Sequence, residues 1–306
     1  MANEIIFSET PTEKMDIREA AARVFDHLDI DSGTRQDYKY RVGLFLEYLK
    51  DHGYNRNSFL DFKRALADRT DWAVSTKNKY LTTARIFLKE LNRQGKIPVD
   101  ITQNVKSFTQ SKKHKRDGLN DEEMGLLTSR MQSLAVTGST TRIKAVFTLL
   151  ALQGLRQIEI VRLDVKDLDL VAKTAAVQGK GQDDKENVNL HPETCKALHE
   201  YLKANKIADG AVFTSRSNNS ATKRLSTRSL RGLVKDTLKE LGIDKSTHGF
   251  RHYFTTKLIQ AYKGDILEVA RYTRHKSVEM LQVYNDNINA KADLPRFYAT
   301  FNEVKF

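Results

Sequence analysis

Four short strings in the second half of the chain carry charged and nucleophilic side chains at spacings that suit work on a phosphate. In Gln153-Gly154-Leu155-Arg156-Gln157-Ile158-Glu159, Gly154 breaks a helix, and Arg156 and Glu159 stand three apart on the next one. An arginine so placed can offer two N–H groups to a phosphate while the glutamate orients it from behind. Lys180 lies between Gly179 and Gly181, which let a turn approach a ligand closely; Lys185 in the same loop, beside Asp183 and Asp184, is its rival. In Thr247-His248-Gly249-Phe250-Arg251-His252, His248 and Arg251 share one face at a helix start, where a phosphate is also favoured. Finally, His275 precedes Tyr284 by nine residues, across a turn and a short amphipathic helix. Taken singly these are ordinary: a surface ion pair, a lysine at a hairpin tip, a structural histidine, one tyrosine among eleven.

Positioning these groups calls for a mainly α fold with a small β-sheet in the C-terminal domain. The 306 residues suit two domains at roughly 100–200 residues each. Residues 1–16 form an acidic tail without the apolar core of a signal peptide, which points to the cytoplasm. Residues 17–106 read as helices at 17–28, 34–50, 58–67 and 75–94, the first two separated by Asp31-Ser32-Gly33. Residues 107–118 lose that periodicity and hold a basic run, read either as a solvated linker or as a strap on DNA through Lys112, Lys113, Lys115 and Arg116. The domain of residues 119–306 opens at Asn120, an N-cap ahead of three acids. It continues with helices near 121–133, 140–153, 192–205, 226–241, 248–262, 265–273 and 277–284. Runs at 172–178 and 186–190 suit a β-hairpin around residues 179–185, and 211–214 suits a further strand. The segment 290–306 suits a separate short helix whose Leu294, Phe297, Tyr298 and Phe301 form an apolar stripe. That stripe packs either on its own domain or on a neighbouring protomer.

Composition narrows the partners. Fifty-one Lys and Arg against 39 Asp and Glu leave a net charge of +12, suited to a polyanion such as nucleic acid. No apolar run approaches the roughly 20 residues that span a bilayer. Cys195 stands alone, so a disulfide scaffold and cysteine-based metal sites are excluded. Lys77, Lys79 and Arg85 on the 75–94 helix, and Lys223, Arg224, Arg228 and Arg231 around the start of the 226–241 helix, are candidates for contact with DNA phosphates. His248, His252 and His275 could imitate a zinc site, but no zinc framework accompanies them, and no metal or other cofactor is expected.

The ordered set Arg156, Lys180, His248-x-x-Arg251, His275 and Tyr284 resembles the tyrosine recombinase (phage integrase) family. The matching strings are Gly-Leu-Arg-x-x-Glu at 154–159, Gly-Lys-Gly at 179–181, His-Gly-Phe-Arg-His at 248–252, and His275 with Tyr284. Residues 17–106 are similar to that family's helical core-binding domain, as in compact Xer-like members, and the two domains, joined by the basic linker, would close around a duplex as a clamp. One position departs: where the family usually has glycine before the histidine, this chain has Arg274.

The resemblance implies DNA cleavage and rejoining through a 3′-phosphotyrosyl intermediate. Tyr284 would be the nucleophile, Arg156 and Arg251 the clamps on the phosphate, and His275 a further donor. His248 would accept the proton and Lys180 protonate the leaving 5′ oxygen. It further implies a homo-tetramer on two double-stranded DNA sites, possible accessory proteins, and a place at the nucleoid. The task would be integration and excision of a mobile element or resolution of chromosome dimers. Three other readings compete: a type IB topoisomerase, a catalytically dead DNA-binding regulator, and a helical protein-interaction module.

Overall fold

The computed structural model describes residues 21, 23–110, 118–215, 223–275 and 277–300. The chain divides into two compact units, Met1–Ser111 and Lys112–Phe306.

In the first unit a 3-10 turn, Val24–His27, leads into α1 (Ser32–His52), α2 (Ser58–Ala67) and α3 (Val74–Arg93). Of the helix expected at 17–28, residues 17–20 and 22 lie outside the described residues, and 24–27 are the tighter 3-10 form. Of the expected break at Asp31-Ser32-Gly33 only Asp31 stays outside the helix, and residues 28–31 separate the 3-10 turn from α1. Asp31 Oδ1 accepts the Thr34 amide at 2.9 Å, so Ser32 and Gly33 enter the first turn of α1. Such a cap is worth about 1 kcal/mol. The core is aromatic: Phe25, Phe45, Phe59, Phe62 and Phe87 are buried, with the Phe45 and Phe62 rings 4.9 Å apart. After α3 the chain returns along it. The amide of Phe108 donates to Asn78 Oδ1 at 2.9 Å, and Asn78 Nδ2 donates to the Phe108 carbonyl at 3.0 Å.

The second unit opens with α4 (Asp121–Ser133), α5 (Gly138–Gln153) and α6 (Gln157–Arg162). Asn120 and Glu123 cap α4 reciprocally, at 2.7 and 2.9 Å. A three-stranded antiparallel sheet follows in the order β1 (Leu168–Asp169), β2 (Thr174–Gln178), β3 (Lys185–Asn189). Alternation along β2 turns Ala175 and Val177 into the core, which leaves the β2–β3 tip to carry Lys180. Then come α7 (Pro192–Ala204), α8 (Thr227–Glu240), α9 (Thr247–Ala261), α10 (Ile266–Thr273) and α11 (Val278–Thr300).

Two expectations are corrected. Residues 211–214 form no strand; they make only isolated bridges, Asp164 with Ala211 and Thr214 with Arg224. The helices expected at 277–284 and 290–306 are one: α11 runs unbroken from Val278 to Thr300, through Pro295. Proline lacks an amide hydrogen, so one helical hydrogen bond is forfeited there, yet the flanking turns continue. Leu294, Phe297 and Tyr298 are 41, 54 and 61% exposed, and Phe301 lies outside the described residues. The main core packs α5 with α7, while Ile259, Val269, Leu281 and Tyr284 form a smaller cluster among α9, α10 and α11. No helix among the described residues is long and apolar enough to cross a membrane.

Candidate active site

The corner between α5 and α6 sets the first arginine. Gly154 caps α5 in the left-handed conformation, with φ 57°. A Cβ there would lie 2.3 Å from the Phe254 ring, so the corner requires glycine. The turn makes Arg156 the residue that opens α6. Its amide and its Nη1 both donate to Glu159, at 2.8 and 2.9 Å, and Glu159 is 1% exposed. Burial pushes the Glu159 carboxyl up, but the Arg274 guanidinium and the Arg156 bonds outweigh it and hold the group below its ordinary value.

The second arginine is a structural bolt as well as a charge. Arg251, on α9, is 5% exposed. Its Nη1 donates to the Gly154 carbonyl at 2.7 Å, and its Nη2 donates to the Thr273 carbonyl at the end of α10. Burial, reinforced by the charge of Arg156, draws its pKa down to about 10, so it stays a cation at neutral pH. Gln157 Nε2 donates to Thr247 Oγ1 and ties α6 to the first turn of α9, where His248 stands exposed.

Tyr284, two turns into α11, is 8% exposed. Burial pushes its phenol up to about 12, against the pull of Arg251. Burial also drives His275 down to about 3, helped by the charges of Arg251 and Arg156, so its imidazole is neutral at physiological pH. The two rings lie 6.3 Å apart. These groups line one open cleft of about 990 Å³, whose walls include Arg156, Lys180, His248, Arg251, His275 and Tyr284. All six residues selected from the sequence therefore converge, although Arg156 and Tyr284 are far apart in the chain. Lys180 reaches the cleft from the hairpin tip, which is held by a bond from Arg162 Nη1 to the Gly179 carbonyl at 2.8 Å. Its rival Lys185 is instead paired with Asp167 at 2.5 Å.

Sequence reasoning gave no role to two further residues of the cleft. His252 lies 4.9 Å from the Tyr284 ring, nearer than His275, and 6.3 Å from His248. Its signal was present: four residues after His248, it must share that residue's helix face. Arg274 lines the same cleft and pairs with Glu159 at 2.9 Å. Among the described residues no group of three His, Cys, Asp or Glu is arranged to hold a metal ion.

The candidate DNA contacts divide. Lys77 is buried, donating to the Ala67 carbonyl at 2.8 Å, so it braces α3 against α2. Arg85 donates to the Val105 carbonyl at 2.7 Å and covers the Phe59 ring. Arg224 pairs with Asp164 and donates to the Val161 carbonyl at 2.9 Å. Lys77 is thus turned inward, while Arg85 and Arg224 bond to backbone carbonyls and keep part of their side chains exposed; periodicity does not reveal such inward bonds. Lys79, Lys223, Arg228 and Arg231 are exposed. Lys112, Lys113, Lys115 and Arg116 lie outside the described residues.

A model of the phage integrase family matches residues 119–291. The chain belongs to this family, and is a tyrosine recombinase of the integrase type. Among its relatives, the tyrosine recombinase XerD of Oceanobacillus iheyensis is 27% identical over 300 residues, 91% of this chain and 96% of that one. The tyrosine recombinase XerC of Pseudomonas entomophila is 33% identical over 147 residues, so that match spans about half of each chain, 47%. The same fold occurs in the XerH site-specific recombinase bound to palindromic difH substrate, with a TM-score of 0.71, 18% identity, and 86% of this chain and 79% of that one covered.

Proposed function

We propose that this chain is a site-specific DNA recombinase that cuts and rejoins strands through Tyr284. The observation that carries this reading is the convergence of Arg156, Lys180, His248, Arg251 and His275 on the cleft that holds Tyr284. In the reaction, the Tyr284 oxygen attacks the scissile phosphorus and its proton passes to His248. The bond to the 5′ oxygen breaks as Lys180 protonates that oxygen. The products are a 3′-phosphotyrosyl bond and a free 5′ hydroxyl, and the reverse attack by a second 5′ hydroxyl joins a new strand. Bond energy is conserved, so the exchange draws on no nucleotide. Arg156 and Arg251 meet the negative charge that builds on the nonbridging oxygens, while neutral His275 donates a hydrogen bond.

Residues 17–106 serve as the core-binding domain on this reading, and the exposed Lys79, Lys223, Arg228 and Arg231 meet the duplex backbone. The exposed end of α11 supports docking on a neighbouring protomer, within a homo-tetramer on two sites. The protein would act in the cytoplasm, at the nucleoid, in moving a mobile element or resolving chromosome dimers. Relatives named for Xer recombination support that task.

The test is an SDS-resistant protein–DNA adduct on a pool of nicked duplexes enriched by binding. Wild type should form the adduct, and Tyr284→Phe should bind equally but form none. Arg156→Ala should lose about 100- to 1,000-fold in adduct rate while binding changes little. Adduct formation by Tyr284→Phe would move the nucleophile to Tyr272 or Tyr298. Salt-sensitive binding by wild type with no adduct would favour a recombinase fold kept for binding alone.

A further inference from the structure

The reaction above leaves Arg274 idle, yet its placement is costly. It caps α10 at φ 53° and ψ 43°, a left-handed conformation usually given to glycine or asparagine. Its side chain is only 6% exposed and bonds to Glu159 at 2.9 Å. A long charged side chain on a strained backbone persists only where its surroundings hold it there. Its Nε is buried with no hydrogen-bond partner among the described residues. The same holds for Thr273 Oγ1 and His275 Nδ1, so three consecutive residues each present an unanswered polar atom. Native interiors leave few such atoms, and two of these belong to Arg274 and His275, which line the cleft, with Thr273 fully buried beside them; that marks a place for a ligand.

The charges agree. Arg156, Arg251 and Arg274 surround a single buried carboxylate, Glu159, and at the rim Lys180 and Arg271 stand with Glu186. Three guanidiniums against one carboxylate leave two positive charges on the wall of the cleft. A phosphodiester carries one negative charge, and its pentacoordinate transition state carries two.

We propose that Arg274 is a third phosphate-binding guanidinium of this cleft, donating to a nonbridging oxygen while its Nη2 stays bonded to Glu159. This rests on reading the cleft as a phosphate site. Arg274 then adds to the site a cation that the family's usual glycine lacks.

Thermal protection of the full chain by sodium tungstate, a tetrahedral dianion, against sodium chloride at equal ionic strength tests it. Arg274→Gly suits the left-handed backbone and should fold; Arg274→Gln and Arg274→Lys vary the head group. We expect the tungstate dissociation constant to rise about tenfold in the glycine and glutamine variants, as loss of a charged hydrogen bond implies, and less in the lysine variant. Values within twofold of wild type would overturn the proposal, as would a wild type that tungstate does not protect. If Arg274 served only to neutralise Glu159, adding Glu159→Gln to Arg274→Gln would restore binding; a double variant that stays weak supports direct contact. A tungstate effect lost with Arg274 in a chain that forms no DNA adduct would count against recombination and leave the anion site standing.

Discussion

A phenol whose pKa is held near 12 is almost wholly protonated between pH 7 and 9, so Tyr284 needs a base to attack. Without one, the attacking phenolate grows about tenfold per pH unit, and so should the adduct rate. We expect that slope in His248→Ala from pH 7 to 9, and a flatter profile in wild type; equal slopes would remove His248 from proton transfer. His275 adds no inflection in this window, because at about 3 it is already neutral. It acts instead on acid stability. Its folded pKa is depressed from 6.5 to about 3, so the unfolded chain takes up a proton that the folded chain refuses. Its share of stability is therefore present at neutral pH in this sense: the burial penalty for the charged form appears only as pH falls from about 6.5 toward 3. His275→Asn should melt less steeply with falling pH across that range, read by calorimetry; an unchanged acid limb would show that His275 is not the group that resists protonation.

Among the elements, the α5–α6 corner is the most exacting. Gly154→Ala must accept both φ 57° and a Cβ 2.3 Å from the Phe254 ring. We expect a loss of about 2–4 kcal/mol, seen as a lower Tm, with any adduct rate falling further as Arg156 shifts. Gly125→Ala is the control, since it lies inside α4 with open space around it and should gain up to about 1 kcal/mol. Part of this corner was legible in the sequence, where Gly154 breaks one helix and Arg156 and Glu159 stand three apart on the next, whereas the Phe254 contact that demands glycine was not. Most helices were legible as well: stripes such as Tyr80, Ala84, Phe87 and Leu91 repeat at helical spacing. What escaped depends on distant partners. Asn78 meets the backbone of residue 108 across 30 positions, and Arg224 meets Val161 across 63. The continuity of α11 escaped too, because the run Asn285-Asp286-Asn287-Ile288-Asn289 between the two expected helices is poor in strong helix formers. In the site, residue type and order identified six side chains, whereas the orientation of His252 toward Tyr284 and of Arg274 toward Glu159 needed the packed structure.

For the whole molecule, a net charge of +12 should make DNA affinity fall linearly with the logarithm of salt concentration. A salt-independent affinity would take the exposed cations out of the interface. The other prediction at this scale concerns assembly. Replacing Leu294, Phe297 and Tyr298 with serine removes exposed apolar surface without disturbing the buried turn around Tyr284. Cleavage at a single site should persist while pairing of two sites fails; undiminished strand exchange would free the stripe from any role in docking. Arg251 has a consequence of another kind. By bonding to the carbonyls of Gly154 and Thr273 it fastens three segments of the second unit together, and the same guanidinium faces the cleft. A lineage that abandons strand cutting can exchange Tyr284 for phenylalanine and keep the buried ring in its cluster, but discarding Arg251 leaves two buried carbonyls unanswered and loosens the fold. Inactive descendants of such a chain should therefore be recognisable by an order of decay: the tyrosine goes first, and the arginine outlives the activity it serves.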